Sequence, residues 1–329
     1  MLSKLDKNSS GGFEKGFKKI EPTSKLESDS HFAKKSLGQN FLKSERALLD
    51  MVQAGDIQED ETIIEIGPGK GALTIKLLEK IKNTPGSRLI CIEKDDRLVP
   101  FLKESYAEAI QKGILEIIHG DIIDILENKD DFEKLVDRGD KGGKKKPYKI
   151  IANIPYYITG LIFRGIFELH HLPEKIVLLV QKEVANRIIA YGDNGKINAI
   201  NKDSNGGNKD SGKESILSIS IKLYGVPRRV SIVPRGAFVP APNVDSAIIA
   251  VENIERKIPQ KLDSVFFEMI HSAFSHKRKR LAKNLESFSN KKMNSIQYEK
   301  ILGELDLDKN IRAEDISIQT YIQLFERLI

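Results

Sequence analysis

The chain has 329 residues, 40% of them hydrophobic, with a formal net charge of +6 and a pI near 9.0. Length and apolar content predict one large domain with a true core plus a smaller one. No apolar run approaches the roughly 18 residues of a membrane span, so no membrane partner is expected. The positive balance leans towards a polyanionic partner. The lone cysteine, Cys91, cannot form an internal disulfide, which fits a reducing, cytoplasmic setting.

Residues 1–30 are rich in Lys, Ser, Gly and Glu and read as a disordered tail without a signal-like apolar stretch. From Lys34 the chain mixes amides with apolar anchors. Phe41 and Leu42 can pin the segment while Gln39 and Asn40 face a ligand, and Ala47-Leu48-Leu49 announces a helix. On the residues alone this is an ordinary helix lead-in rather than a site.

A β-branched strand over Thr62–Ile66 then runs into Gly67-Pro68-Gly69-Lys70-Gly71 and a helix from about Ala72. Glycines permit positive φ and close backbone approach. A helix N-terminus favours negative ligand groups. This is a nucleotide-binding turn of Rossmann type, although not the full G-x-G-x-x-G fingerprint. A second strand, Arg88 to Ile92, ends in Glu93, whose carboxylate suits the two hydroxyls of a ribose. A third, Ile114 to Ile118, is followed by Asp121 and Ile122, an acceptor for an adenine amino group and an apolar ring contact. Each carboxylate alone reads equally well as a surface residue. Three successive strand ends together outline an adenosine site.

The buried strand from Tyr148 to Ala152 ends in Asn153-Ile154-Pro155-Tyr156. Asn153 offers a side-chain carbonyl, Pro155 fixes its φ and so the direction of nearby carbonyls, and Tyr156 offers a flat face. Two aimed acceptors beside an aromatic plate suit an exocyclic amino group on a purine. That favours S-adenosylmethionine over a dinucleotide as the adenosine ligand. His119, His170 and His171 lack metal-ligand companions, and no metal is expected.

Two stretches, about 128–147 and 192–214, read as surface insertions. Between them come a helix around Leu161–Leu169, a strand from Ile176 to Val180 and a helix opening at Gln181, with Glu183 and Arg187 paired at i, i+4. Ile216 to Leu223 and Ser246 to Val251 read as further strands, separated by a turn-rich stretch containing Phe238. After about Asn253 the pattern is helical, with Phe266, Phe267, Ile270 and Phe274 at core spacing. Lys277, Arg278, Lys279, Arg280 and Lys283 crowd five cations into seven residues, a density that a phosphate backbone would neutralise.

At this point the chain resembles the small-subunit ribosomal RNA adenine N6-dimethyltransferases of the bacterial KsgA type. The matching strings are Lys35 to Leu42, Glu65 to Gly69, Asn153 to Tyr156, Gln181 to Ala185 and Phe238 to Ala247. The resemblance implies an α/β, Rossmann-like class I methyltransferase sheet over 31–254 and a smaller all-helical RNA-binding domain over 255–329. By the same resemblance, Gln39, Asn40, Leu42, Gly67, Gly69, Glu93, Asp121, Ile122 and Asn153 would hold S-adenosylmethionine. Asn153 with the Pro155 carbonyl would receive the target amino group, and Tyr156 and Phe238 would clamp the base. The basic run would meet RNA phosphates. The implied reaction puts two methyl groups on each of two adjacent adenosines near the 3′ end of 16S rRNA, in an immature small subunit, and the protein is expected to be a monomer. Tyr157 departs from the family pattern, where Asn is usual. The alternatives are a 23S rRNA or DNA adenine methyltransferase, or a non-catalytic assembly factor.

Overall fold

The computed structural model describes residues 38–137, 145–189 and 213–329. The tail, Lys34 to Leu37, Gly142 to Lys144 and most of the second insertion lie outside the described residues. Nine strands are described: β1 (Phe41–Leu42), β2 (Thr62–Ile66), β3 (Arg88–Glu93), β4 (Leu115–His119), β5 (Tyr148–Asn153), β6 (Lys175–Gln181), β7 (Val226–Val233), β8 (Phe238–Val239) and β9 (Ser246–Glu252). Seven of them form one sheet in the order β4-β3-β2-β5-β6-β9-β7, and β1 pairs with β8 in a separate ribbon.

Strands β2 to β6 are mutually parallel, and β9 runs antiparallel to both β6 and β7. Alternation along each strand buries both faces. Ile64, Ile90, Ile150 and Leu178 belong to one core, and Ile63, Leu89, Ile151 and Leu179 to the other. Near-continuous apolar strands are what a helix-covered parallel sheet requires. The first core extends without a break into Phe266, Leu281, Tyr298 and Phe325 of the helices that make up the described chain after Glu252. No helix among the described residues is long and apolar enough to cross a membrane.

The strand order reverses between β2 and β5, which places a topological switch point there. The β2–β5 ladder has only three pairs, ending at Ile64 opposite Ile150, whereas β2 and β3 pair through Ile66. The carboxyl ends of β2 and β5 are therefore free to part and open a crevice.

Two expectations are corrected. Ile216–Tyr224 is a helix, not a strand. Its Ser-Ile-Ser-Ile alternation from Ser218 to Ile221 suggests period two, but Glu214, Ser218 and Lys222 repeat every four. The Glu214 carboxylate accepts from Ser218 Oγ at 2.5 Å and Lys222 Nζ at 2.7 Å, all three side chains buried. Part of the first expected loop is also a helix, Lys129–Asp137, because Phe132, Leu135 and Val136 fall on one face and enter the core. Lys145, beyond it, pairs with Glu133 at 3.1 Å.

Candidate active site

The crevice between β2 and β5 holds a cavity of about 330 Å³. Its wall includes Gly67 and Gly69 from the turn after β2, Glu93 from β3, Asp121 and Ile122 after β4, and Asn153 to Tyr156 after β5. Gln39, Asn40 and Leu42 come from the segment at β1. Every residue expected to hold the cofactor thus meets in one space.

The glycines act differently. Gly67 (φ +64°) has nothing within 4 Å of where a Cβ would stand, so its backbone is open to a ligand. At Gly69 (φ +60°) a Cβ would lie 3.1 Å from the Phe41 ring. Gly69 therefore lets Phe41 close over the turn, a role the sequence does not advertise. Lys70 in turn sits 5.3 Å from the Phe41 ring centroid.

Glu93 supports this turn. One carboxylate oxygen accepts from the Gly69 N–H at 3.0 Å and the other from the Asp95 N–H at 2.8 Å. Burial raises its pKa, and those two backbone donors oppose the shift. Asp121 caps the helix Ile122–Glu127 through the Ile123 N–H at 3.0 Å, and its other oxygen is ion-paired with Lys94. Beneath the turn, Glu65 is sealed in, accepting from Thr74 Oγ1 at 2.7 Å with Cys91 Sγ at 3.3 Å. Burial lifts Glu65 to a pKa of about 7 against the Thr74 and Cys91 hydrogen bonds.

The segment at β1 is tied across the cavity. Gln39 donates to Asp95 at 2.9 Å, and Asp95 also takes Arg97, whose guanidinium holds that carboxyl well below its usual range. The Asn40 amide folds back on the Gly38 carbonyl at 3.1 Å. Asn153 Nδ2 donates to the Asn40 carbonyl at 3.4 Å. With the amide nitrogen so engaged, Asn153 Oδ1 is the face left for the cavity, and it has no donor among the described residues.

One expected site residue, Phe238, is corrected, and the Pro155 carbonyl has a second claim on it. The Pro155 carbonyl accepts the Ile158 N–H at 3.3 Å inside the short 3-10 turn Tyr156–Ile158. The carbonyl next to Asn153 that has no donor among the described residues is that of Ile154, whose side chain is buried. Phe238 does not line the cavity. Its pairing with Leu42 turns the ring into the core, leaving it 2% exposed. Tyr156 does line the cavity, half-buried, with its hydroxyl 2.6 Å from Ser246 Oγ.

A model of the ribosomal RNA adenine dimethylases matches residues 30–200 and 206–329. The chain belongs to the ribosomal RNA adenine dimethylase family. As a member of that family it is an rRNA adenine methyltransferase. It is 34% identical over 295 residues to the ribosomal RNA small subunit methyltransferase A of Dehalococcoides mccartyi strain CBDB1, covering 89% of this chain and 87% of that one. It is 35% identical over 301 residues to the protein of the same name from Ligilactobacillus salivarius, covering 90% of each. Two solved structures share its fold. The 23S rRNA methyltransferase ErmE has a TM-score of 0.60 at 20% identity, covering 88% of this chain and 99% of its own. A dimethyladenosine transferase from Plasmodium falciparum has a TM-score of 0.61 at 24% identity, covering 87% and 96%. At such identities the likeness is one of fold.

The expected RNA-binding cations sit away from the cavity wall, in and after the turn that follows the helix Asp263–Ala273. Lys277, Arg278, Lys279, Arg280 and Lys283 are all exposed. Arg280 pairs with Glu299 at 2.8 Å and Lys283 with Glu286 at 2.6 Å. Lys277, Arg278 and Lys279 have no carboxylate partner among the described residues. The buried Asn284 side chain holds the turn by donating to the carbonyls of Ala273 at 2.6 Å and His276 at 3.1 Å.

Proposed function

We propose that this methyltransferase uses S-adenosylmethionine to dimethylate the exocyclic amino groups of two adjacent adenosines in the 3′-terminal hairpin of 16S rRNA, on an immature small ribosomal subunit. The observation that carries this reading is the Asn153 amide. Its nitrogen is spent on the Asn40 carbonyl, so its oxygen is presented as an acceptor beside the unpaired Ile154 carbonyl.

The residues fit the donor. Gly67 offers backbone without a side chain to the methionine part, Glu93 its carboxylate to the ribose, and Asp121 and Ile122 an acceptor and an apolar face to the adenine. Gln39, Asn40, Leu42 and Gly69 complete the wall. When bound, S-adenosylmethionine supplies an electrophilic methyl group.

The chain's own task is to make a poor nucleophile react. The amino nitrogen of adenine is delocalised into its ring. In the first transfer Asn153 Oδ1 and the Ile154 carbonyl each take one N–H and favour the pyramidal form with a localised lone pair; in the second, the monomethylated amine keeps one N–H for one of these acceptors. Tyr156, fixed through Ser246, stacks on the ring and holds that nitrogen in line. As the N–C bond forms and the donor's S–C bond breaks, a neutral thioether would leave, and the nitrogen, made more acidic, would release its proton to water without a strong base.

Residues 255–329 serve as the RNA-binding unit, with Lys277, Arg278 and Lys279 available to phosphates. The chain acts as a monomer on subunits in the cytoplasm. The test is incubation with small subunits from cells lacking the modification, followed by mass spectrometry of the RNA. Dimethyladenosine at two adjacent positions supports the reading. Labelling of 23S rRNA or DNA instead, or no transfer at all, overturns it.

A further inference from the structure

Among the described residues seven large apolar side chains are exposed, and only Tyr157 (64%) and Leu161 (51%) of these line the cavity. They lie four positions apart, Tyr157 in the 3-10 turn Tyr156–Ile158 and Leu161 in the helix Thr159–Glu168 that continues it. Isolated exposed apolar side chains need no explanation. An exposed pair four positions apart in the wall of the cavity that also holds the Asn153–Tyr156 motif does.

The Tyr157 ring is backed on one side. Gly38, with φ +62°, passes beneath it, and a Cβ there would stand 3.2 Å from Tyr157 Cε1 and 3.6 Å from Pro155 Cβ. Its hydroxyl has no hydrogen-bond partner among the described residues, unlike that of Tyr156, which is held by Ser246. Gly160, between Tyr157 and Leu161, has nothing within 4 Å of a Cβ position and adds no side chain of its own between the pair. The cations Lys70 and Lys94 line the same cavity. A supported ring with an exposed surface, an aliphatic neighbour and nearby cations describe a seat for a nucleobase on a charged strand.

We infer that Tyr157, with Leu161 beside it, seats the base next to the target adenosine while the target occupies the cavity. The inference rests on the proposed RNA reaction and adds a positioning residue to it. Because the two modified adenosines are neighbours, the base on this seat is itself a substrate. Losing the seat loosens the hold on RNA at each transfer and leaves the chemistry at Asn153 unchanged.

The test compares Tyr157→Ala and Tyr157→Phe with the unaltered protein on unmodified small subunits. Stacking of one base is worth about 5- to 150-fold in affinity. Tyr157→Ala is expected to raise KM for subunits about tenfold with kcat nearly constant, and to increase the share of RNA carrying only one modified adenosine. Tyr157→Phe should restore both, and S-adenosylmethionine affinity, read by calorimetry, should be the same in all three. An unchanged KM in Tyr157→Ala overturns the inference, as does a Phe variant that fails to rescue. A fall in donor affinity would make Tyr157 a cofactor lid instead, which also overturns it. Unaltered protein inert on these subunits would remove the proposed function and this inference together, an outcome distinct from the others.

Discussion

The hydroxyl of Tyr156 lies 2.6 Å from Ser246 Oγ, which ties the loop after β5 to the first residue of β9. Ser246 is fully buried, so this is a fixed post rather than a surface contact. Ser246→Ala should leave the fold intact at a cost of about 1 kcal/mol for the lost hydrogen bond. It should lower kcat several-fold while donor affinity stays the same. Tyr156→Ala should cost far more, because the stacking face goes with the anchor. Steady-state kinetics on unmodified subunits separates the two.

Asn153→Ala removes the acceptor proposed for the target amino group. By comparison with loss of one preorganised polar group in other active sites, kcat should fall on the order of 10²- to 10³-fold. Subunit binding, followed by sedimentation, should persist because the cations at Lys277 to Lys279 are untouched. Turnover near the unaltered rate would show that the amide oxygen does not carry the chemistry.

Glu65 gives the protein a pH-dependent weakness. Its folded pKa of about 7 is raised by burial above the ordinary value of 4.5. A raised folded pKa means that stability is fully present below the unfolded value and is lost as pH rises through the folded one. Between pH 5 and pH 8 the buried carboxyl must therefore charge at a cost of up to about 3 kcal/mol. Glu65→Gln should flatten this fall. Thermal unfolding of both proteins across that range checks the sign, and equal slopes would contradict it.

The cationic turn makes a prediction about salt. Lys277→Gln, Arg278→Gln and Lys279→Gln combined should weaken subunit binding and reduce the slope of log affinity against log salt by about 2 to 3, near 0.7 to 0.9 for each lost phosphate contact. Arg280→Gln should change it less, because Glu299 already holds that charge. Titrations at several salt concentrations distinguish the two sets.

Much of the sheet could be read from the sequence because parallel strands buried on both faces are continuous apolar runs, and the site residues sit where those runs end. β7 was not legible. Its Val-Pro-Arg-Arg-Val stretch is only partly buried and irregular in register between Arg229 and Ser231, which blurs the alternation. The helix Ile216–Tyr224 misleads because two of its polar positions, Ser218 and Lys222, are not solvent-facing. They are buried on Glu214, a partner that spacing alone does not reveal. At the site, residue types located the acceptor motif after β5 but not which carbonyl is unpaired. The Ile158 N–H engages Pro155 and leaves Ile154 without a donor among the described residues, and a backbone donor three positions away leaves no trace in side-chain chemistry. Phe238 was misjudged because an aromatic near a site is equally at home in the core. The strand pairing with Leu42 settles which.

That pairing has a bearing on the order in which the protein can mature. Phe41 and Leu42, which line the cavity, pair with β8, a partner the ribosome delivers only after the first six strands of the sheet have been synthesised. A nascent chain that has already assembled its glycine turn still lacks the latch. Under the proposed function, the cavity wall should therefore be completed late in translation, once β8 has emerged to join the earlier ties through Asp95 and Asn153.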